Sequence, residues 1–441
     1  MIDRLELQSG TARRFLLDMP MMTAAGEIVA AYDVLRRYKA FVEQADKTRL
    51  DTLRFRLQGL KDIRTTLRNL TRGAVLDDIE LFEVKHLSLL AADVARLLRQ
   101  HGMDDVAQIP DLDEVISILD PDGMKIATFY IYDSYCAQLK DLRGQMRRHP
   151  EQQEELMMMA SALEDGVRKD LSQRLHPFAA AIEQAQTALA LTDINVAKAS
   201  QMIHLGLCFP SLSHDGTTHY EHMFHPQVKD TLAAAGKSFQ PVTVGYGARP
   251  ALITGANMGG KTVVLKTLTM CQYLFQFAFG IPAASAVIAV KDSVIFCIGD
   301  DQSIEKGLSS FAAEMQRIDA VVKASRDDKK LLALIDEPAR TTNPAEGAAL
   351  VTALLKVLSA ARDASLVMTT HYDIEPGDAL CLRVKGFENG AMDYSLVEVQ
   401  DGEVPHEALN IAESLGIDGE WINEARRLLA SRENTKQNNN L

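Results

Sequence analysis

The chain has 441 residues, of which 47% are hydrophobic and 24% charged, and its formal net charge at pH 7 is −13. This length is sufficient for two or three domains with cores of their own. A protein dedicated to non-specific DNA binding usually presents a basic face, so the acidic total argues against that class, although a local basic patch is compatible with it. The five cysteines are scattered without a C-x-x-C pair, which favours reduced, mostly buried thiols.

Targeting and membrane signals are not evident. The amino-terminal stretch 1–6 is charged from its start, which is not typical of a secretory signal. The most apolar stretch, 274–290, is interrupted by Gln276, Gly280 and Pro282, which predicts a helix end and a buried strand instead of a membrane span. We therefore expect a cytoplasmic protein without membrane association.

The first half, residues 1–204, is predicted to be a helical domain. Apolar residues recur at a spacing of three to four between Ile79 and Leu98, the pattern of an amphipathic helix. The segment 50–70 repeats this pattern with arginines on the opposite face. Further helices are predicted over 133–148 and 151–191, separated by a His-Pro step that ends the first of them.

The second half is predicted to be an α/β domain over residues 205–405, followed by a helix-turn-helix over residues 406–435. Short β-rich runs alternate with helical stretches, which favours a largely parallel sheet covered on both faces. The predicted strands are 242–244, 251–254, 287–290, 294–298, 331–335 and 366–369.

A glycine-rich loop follows the predicted strand 251–254. It reads Gly255-Ala-Asn-Met-Gly-Gly-Lys261-Thr262, the P-loop pattern, in which backbone N–H groups cradle phosphate oxygens. The lysine of such a loop reaches the β- and γ-phosphates, the threonine hydroxyl ligates Mg²⁺, and the start of the next helix adds partial positive charge. The pattern predicts that the chain binds ATP with Mg²⁺.

Two later strands end in residues that suit the same chemistry. The run 331–335 is followed by Asp336 and Glu337; in P-loop enzymes an acid at this position holds Mg²⁺ and the next orients the attacking water. His371 follows the strand 366–369. A lone histidine is more often a surface or core residue, but this one lies where a sensor of the γ-phosphate is expected.

Together these motifs resemble the ATPase domain of the MutS family, a branch of the ABC-type ATPases, over about residues 225–429. Several separate segments match in the order of the family. Besides the P-loop and the strand before Asp336, they are Phe224-His225-Pro226, Ile281-Pro-Ala283, Ile298-Gly-Asp-Asp301, Gly307 to Met315, Thr369-Thr-His-Tyr372 and Leu409 to Arg426.

The resemblance implies a role for each matching residue. It also implies a homodimer with two composite ATP sites, in which the carboxy-terminal helix-turn-helix mediates dimerisation. It implies phosphate binding by Gly255, Asn257, Met258, Gly259, Gly260 and Lys261, Mg²⁺ binding by Thr262 and Asp336, positioning of water by Glu337, sensing of the γ-phosphate by His371, completion of the partner's site by Ser309, and a place near the base for His225.

The chain departs from the family pattern at two places. Ala256 replaces the usual proline of the P-loop. The loop 338–344 reads Pro-Ala-Arg-Thr-Thr-Asn-Pro, where the family usually has Ile-Gly-Arg-Gly-Thr-Ser. The loss of two glycines there is expected to affect communication between the two ATP sites more than nucleotide binding.

The parts of the family that grip DNA are not recognisable. Phe41-Val-Glu43 fits the Phe-x-Glu wedge of mismatch-recognition domains, but it lies inside a predicted helix, which we interpret as chance. The clamp is an insertion between two lever helices, and the matching gap here is only the turn at His149-Pro150. We therefore expect lever helices and an ATPase without an intact mismatch-recognition apparatus.

Three functions remain open from the sequence. The first is a DNA-associated ATPase acting on junctions or repair intermediates, which rests on fold analogy alone. The second is a protein-remodelling ATPase with a protein client, because the segments 120–123 and 128–135 and the loop after Glu337 resemble a MutS-related group associated with reactivation of cobalamin-dependent aminomutases. The third is an ATP-binding module with residual hydrolysis.

Overall fold

The computed structural model describes residues 1–255, 260–297, 310–327, 329–361, 363–388, 391–399, 409, 412–413 and 416–428. The chain divides into two compact units. The first consists of Met1–Pro20 and Asp33–His204, and the second of Met21–Tyr32 and Leu205–Leu441.

The first half of the chain is helical, which confirms this part of the predicted fold class. The apolar stripe of the 79–98 segment lies within one helix, whose start carries a capping box made by Asp77 and Glu80, two reciprocal hydrogen bonds that satisfy free amides of the first turn. The helices are α1 Gly10–Asp18, α2 Ala25–Gln44, α3 Lys47–Leu57, α4 Arg64–Thr71, α5 Asp78–Arg99, α6 Asp104–Ala107, α7 Asp113–Leu119, α8 Ala137–Arg148, α9 Gln153–Leu175 and α10 Ala179–Leu205.

Two predicted helices are each divided in the structure. The segment 50–70 forms α3 and α4, with Gly59 in the connection, a residue that weakens helices. The segment predicted as one helix over 151–191 breaks at Pro177, where His176–Phe178 form a 3₁₀ turn between α9 and α10. Proline lacks an amide hydrogen and its ring clashes with the preceding turn, so the prediction of a single long helix was wrong.

Within the described residues, the second unit contains two sheets, four helices between residues 226 and 359, and a helical stretch over 419–428. Its described strands are β1 Ser211–Leu212, β2 Thr218–Met223, β3 Val242–Tyr246, β4 Ala251–Thr254, β5 Ser285–Ile288, β6 Ser293–Cys297, β7 Leu331–Ile335, β8 Ala364–Thr369, β9 Leu380–Glu388 and β10 Ala391–Glu398. Its helices are α11 Pro226–Ala234, α12 Lys261–Gln276, α13 Ser310–Ala324 and α14 Pro344–Ser359.

The larger sheet has the strand order β10-β9-β4-β8-β7-β6 and is parallel except for β10, which pairs antiparallel with β9. The smaller sheet has the order β1-β5-β2-β3 and mixes parallel and antiparallel pairs. In the larger sheet β8 lies between β4 and β7, with Ile253 opposite Thr369 and Ile335 opposite Met368. Because parallel strands end at the same edge, the residues that follow β4, β7 and β8 come together there.

The core of the larger sheet is continuous and apolar. All residues of β4, β7 and β8 are buried, and α13 and α14 contribute the side chains of Ile318, Val321, Val351 and Leu355 to the same cluster. Strands buried on both faces read as unbroken apolar runs, which is why these three were predictable. This arrangement confirms the predicted α/β class of the second half.

The segment 21–32 belongs to the second unit although both flanking segments belong to the first. The Met22 amide donates to the Gln276 carbonyl at 3.1 Å, and the Gln276 side chain donates to the Met22 carbonyl at 2.8 Å. The Tyr32 hydroxyl donates to the Phe279 carbonyl at 2.8 Å, and its ring stacks on Phe275. These contacts attach the start of α2 to the end of α12.

Among the residues that the structure describes, no helix combines the length and the apolarity needed to cross a membrane.

Candidate functional site

The site is built on the turn between β4 and α12. Gly255 has a φ of +134°, and a Cβ atom there would lie 3.0 Å from the Cβ of Val384. Gly260, the N-cap of α12, has a φ of +75°, and a Cβ atom there would lie 3.4 Å from the ring of Tyr394. Only glycine adopts a backbone of this kind freely. The positive φ and the limited space therefore explain why glycine occurs at both positions.

Lys261 is buried at the first position of α12, with 4% of its surface exposed. Its Nζ donates to the Gly255 carbonyl at 2.7 Å and lies 3.3 Å from Oε1 of Glu337. A buried ammonium is stable only when paired and hydrogen-bonded. The lysine is therefore held beside Gly255, and its charge lies next to the acidic residue after β7.

Thr262, Asp336 and Thr369 form a continuous hydrogen-bond network. The Thr262 hydroxyl donates to Oδ2 of Asp336 at 2.7 Å, and the Thr369 hydroxyl donates to Oδ1 of the same carboxylate at 2.7 Å. The Glu337 amide in turn donates to the Thr369 hydroxyl at 2.9 Å. The sequence indicated Thr369 only as part of the segment 369–372. In the structure its hydroxyl contacts both Asp336 and the Glu337 amide and so connects the two acidic residues.

The hydroxyl of Thr262 and the carboxylate of Asp336 fit a divalent metal. Both are oxygen ligands, which Mg²⁺ prefers, and Mg²⁺ sites commonly use one or two protein ligands and leave the others to water and phosphate. Their contact at 2.7 Å brings both oxygens within reach of one ion. The structure thus places side by side the two residues that the resemblance assigns to Mg²⁺.

Glu337 follows Asp336 in the chain, and its carboxylate lies near two cationic side chains. Its side chain is 13% exposed and lies between Lys261 and Arg340, whose Nη1 is 3.6 Å from Oε2. Its φ is +44°, an uncommon value for a residue with a side chain. The carboxylate lies beside the lysine of the P-loop, as expected of the residue to which the resemblance assigns the positioning of water.

His371 lies after β8 at the same edge of the sheet. Burial lowers the pKa of its ring below the ordinary value, Glu337 acts to raise it, and Lys261 and Arg340 act to lower it further. The charges that act on the ring are therefore those of the candidate site. At neutral pH the ring is predominantly neutral and can donate one hydrogen bond.

His225 caps α11 in the structure. Its Nδ1 accepts a hydrogen bond from the Val228 amide at 3.4 Å, an N-cap interaction, and the next residue, Pro226, occupies the first helical position, where proline is favoured. The role near the base that the resemblance implies for His225 stays a prediction.

A mostly apolar cavity of about 310 Å³ lies beside Gly260. Its walls include Phe239, Val264 and Tyr394. Gln240 holds the Tyr394 wall: its side-chain oxygen accepts from the Tyr394 amide at 3.0 Å, and its amide group donates to Asp393 at 2.7 Å. The sequence did not indicate Tyr394 as a wall of this cavity, because β10 is more than a hundred positions from the P-loop.

Four predicted site residues lie outside the described part of the chain: Asn257, Met258, Gly259 and Ser309. The same holds for residues 298–301, which belong to the matching segments, and for about half of the predicted helix-turn-helix over 406–435, of which residues 419–428 are described and helical.

Comparison with known proteins places this geometry in context. Residues 251–393 match the family model described as MutS domain V. The chain is 30% identical over 275 residues to Endonuclease MutS2 of Ligilactobacillus salivarius, covering 59% of this chain and 33% of the relative. It is 34% identical over 211 residues to Endonuclease MutS2 of Levilactobacillus brevis, covering 47% and 26%.

A longer match extends into the helical half. It is to Endonuclease MutS2 of Geobacillus thermodenitrificans, 27% identical over 399 residues and covering 72% of this chain and 49% of the relative. The chain spans about a quarter to a half of the length of these curated relatives.

Proposed function

The chain belongs to the MutS family, whose domain V it carries over residues 251–393, and we propose on this premise that it binds Mg-ATP and hydrolyses it to ADP and phosphate. The observation that carries the proposal is the cluster at the ends of β4, β7 and β8. There Lys261 meets Glu337 at 3.3 Å and Thr262 meets Asp336 at 2.7 Å, so phosphate-binding and acidic groups converge on one edge of the sheet.

Each described side chain then has a task. Lys261 pairs with phosphate oxygens, while Glu337 orients a water molecule and accepts its proton as the water attacks phosphorus. His371 donates a hydrogen bond to the terminal phosphate. Thr262 and Asp336 hold Mg²⁺, which when bound neutralises phosphate charge. Phosphoryl transfer depends mainly on positioning and electrostatics, and the network through Thr369 supplies the positioning.

The cavity beside Gly260 is the proposed site of the nucleotide base. It lies next to the P-loop and is bounded by Phe239 and Tyr394, and aromatic side chains offer a planar base a surface for stacking. We expect Phe239→Ala to raise the KM for ATP more than it lowers kcat, because the base contact is shared by the ground state and the transition state.

We further propose a homodimer with two composite sites. This rests on the family resemblance, in which Ser309 of one subunit completes the site of the other. Ser309→Ala should therefore impair hydrolysis in the dimer and leave nucleotide binding to an isolated subunit unchanged. Hydrolysis at the wild-type rate would show that the site is complete within one chain.

Glu337→Gln tests the central assignment. The variant should bind ATP, fail to hydrolyse it and accumulate as an ATP-bound dimer, measured by phosphate release and by light scattering after gel filtration. Glu375→Gln, at an exposed glutamate of the same unit, is the control and should turn over at the wild-type rate. Normal turnover by the Glu337 variant would refute the proposed mechanism.

For the biological role we propose action on DNA. The relatives are named Endonuclease MutS2, which favours DNA over the remodelling of a protein client. If duplex, mismatched and branched DNA at low salt all leave the ATPase rate and the mobility in a gel unchanged, the DNA role is rejected.

A basic groove in the first unit is the surface that fits this role. Arg64, Arg68 and Arg72 are exposed and recur every fourth residue along and just beyond α4, a spacing that places them on one face about 6 Å apart. They line a groove of about 600 Å³ that also contains Asp62 and Glu183. Of these arginines only Arg64 has a carboxylate at ion-pair distance within the described residues, at 3.3 Å from Asp62.

A charge-matched pair of variants tests the groove. Replacing Arg64, Arg68 and Arg72 by alanine should weaken DNA binding. The binding constant should also fall less steeply with salt concentration, by the amount expected for the loss of up to about three phosphate contacts. The control replaces three exposed arginines of the same unit that pair with aspartates, Arg13, Arg37 and Arg174, and should bind as the wild type does. Equal binding by both triple variants would reject the groove.

A further inference from the structure

The loop after Glu337 has a backbone that its residues do not favour. Glu337 and Ala339 have φ values of +44° and +61°, the left-handed region that residues with a Cβ atom rarely adopt. Such a residue is strained relative to the right-handed conformation, because its Cβ atom approaches the following carbonyl oxygen. Ala339 stands where the family pattern has glycine, so the surrounding structure must hold a geometry that glycine adopts freely.

Two buried side chains hold Ala339 from both sides. Oε1 of Glu314, on α13, accepts a hydrogen bond from the Ala339 amide at 3.1 Å. The Tyr372 hydroxyl, next to His371, donates to the Ala339 carbonyl at 2.6 Å. Glu314 is 7% exposed, Tyr372 6% and Ala339 not at all, so water cannot replace these bonds without a rearrangement. The Ala339 carbonyl also accepts a longer hydrogen bond from the Thr342 amide, at 3.3 Å.

Gly347 provides the space for the tyrosine. A Cβ atom at this position of α14 would lie 2.3 Å from the Tyr372 hydroxyl and 2.4 Å from Cζ, closer than any real contact. Glycine inside a helix is less favourable than alanine, and here it allows the phenol to reach the loop. The contact between Tyr372 and Ala339 therefore depends on the segment after β7, the segment after β8 and the helix α14.

Glu314 is a buried carboxyl whose charged form is stabilised by the Ala339 amide and by two arginines. Burial raises the pKa of its carboxyl, and the Ala339 amide and the positive charges of Arg317 and Arg340 act in the opposite direction. Burial of a carboxyl is unfavourable unless hydrogen bonds compensate for it. The helix that carries it begins at Ser310, one residue after Ser309.

We propose that Glu314 and Tyr372 are positioning residues that hold Ala339 in its left-handed conformation and so direct Glu337 toward Lys261. The proposal rests on the hydrolytic function proposed above. It accounts for an alanine at a position of positive φ, because two side-chain contacts hold a conformation that glycine would adopt freely. Glu314 also ties the helix that follows Ser309 to the loop of Glu337 within the same subunit.

The test compares Glu314→Ala with Glu314→Gln. Glutamine keeps an oxygen that accepts from the Ala339 amide, whereas alanine does not. We expect Glu314→Ala to lower kcat by about 10- to 100-fold, the scale of a misplaced catalytic group, with little change in the affinity for a fluorescent ATP analogue. Glu314→Gln should retain most of the wild-type kcat, and Tyr372→Phe should lower it less than Glu314→Ala does.

Ala339→Gly provides the decisive second variant. Glycine adopts a positive φ without strain, so Ala339→Gly should restore much of the kcat that Glu314→Ala loses, which recovery of general stability alone would not produce. Thermal unfolding of each variant identifies any that does not fold. A wild-type kcat in Glu314→Ala, or a double variant no better than Glu314→Ala, would overturn the proposal while leaving hydrolysis intact. A wild-type protein without ATPase activity would instead overturn the proposed function itself.

Discussion

Thr262 and Asp336 are 74 residues apart in the chain, yet the hydroxyl of one donates to the carboxylate of the other at 2.7 Å. The contact exists because α12 starts at the end of β4 and Asp336 follows β7 in the same parallel sheet. It brings two oxygen ligands together beside a buried lysine.

This contact predicts how metal dependence responds to substitution. Thr262→Ala should raise the Mg²⁺ concentration needed for half-maximal ATPase activity by about tenfold or more, since one of two protein oxygens is lost. Thr262→Ser keeps the hydroxyl and should resemble the wild type. Titration of the ATPase rate with Mg²⁺ measures both, and identical titrations for the alanine and serine variants would contradict a metal role for Thr262.

Gly347→Ala tests the packing around Tyr372 independently of catalysis. The added methyl group has no space beside the phenol, so the free energy of unfolding should fall by about 1–3 kcal/mol, as for other overpacked positions. Gly166→Ala is the matched control. Gly166 is also in a helix, α9, and has open space around its Cβ position, so this change should be neutral or stabilise by up to about 1 kcal/mol. Equal effects in urea unfolding would show that Tyr372 moves aside freely.

The core of the site was predictable because its signals are local. A glycine-rich turn before Lys261 and acids directly after an apolar run are contiguous in sequence, and a parallel sheet then brings them together. The strands β4, β7 and β8 were predictable for a related reason, since strands buried on both faces are continuous apolar runs.

The parts that were missed depend on contacts between distant segments. Nothing local marks Tyr372 as a partner of Ala339, or Tyr394 as a wall of the cavity beside Gly260. The strands β1, β2, β9 and β10 were not predicted. The strand β1 is only two residues long, and β2 interrupts its apolar pattern with exposed polar residues. Attachment of residues 21–32 to the second unit was equally invisible, whereas the break at Pro177 carried a local signal.

A buried ion pair in the first unit allows a prediction about stability. Lys85 donates to Asp120 at 3.0 Å and to the Tyr132 hydroxyl at 2.7 Å, and both charged side chains are fully buried. Burial acts to raise the pKa of Asp120, but the Lys125 amide and Lys85 outweigh it, so the pKa lies below its ordinary value. The carboxylate therefore stays charged and needs its partner.

Removal of one partner should consequently cost more than removal of both. Lys85→Met should lower the free energy of unfolding by about 3–5 kcal/mol, because an uncompensated carboxylate remains buried. The double change Lys85→Met with Asp120→Asn should recover part of this loss. Urea unfolding of the two single variants and the double variant completes the cycle, and strictly additive effects would show that the two groups do not interact.

Lys291 predicts a pH dependence of stability in the second unit. It is 5% exposed, and its Nζ donates to the Ser365 hydroxyl at 2.7 Å. Burial lowers the pKa of Lys291 to about 8; Lys330 lowers it further, and Asp363 and Asp292 act to raise it. The ordinary value of 10.5 applies to the unfolded chain.

Between these two pKa values the unfolded chain holds a proton that the folded protein has lost. Because a rise in pH disfavours the state that holds the extra proton, raising the pH from about 8 toward 9.5 should stabilise the folded state by at most about 1.4 kcal/mol per pH unit. Lys291→Met should abolish this gain, whereas Lys323→Met, at an exposed lysine paired with Asp319, should retain it. Urea unfolding of the three proteins across this range measures the difference. Parallel pH profiles for the wild type and the Lys291 variant would show that the lysine keeps its proton on folding.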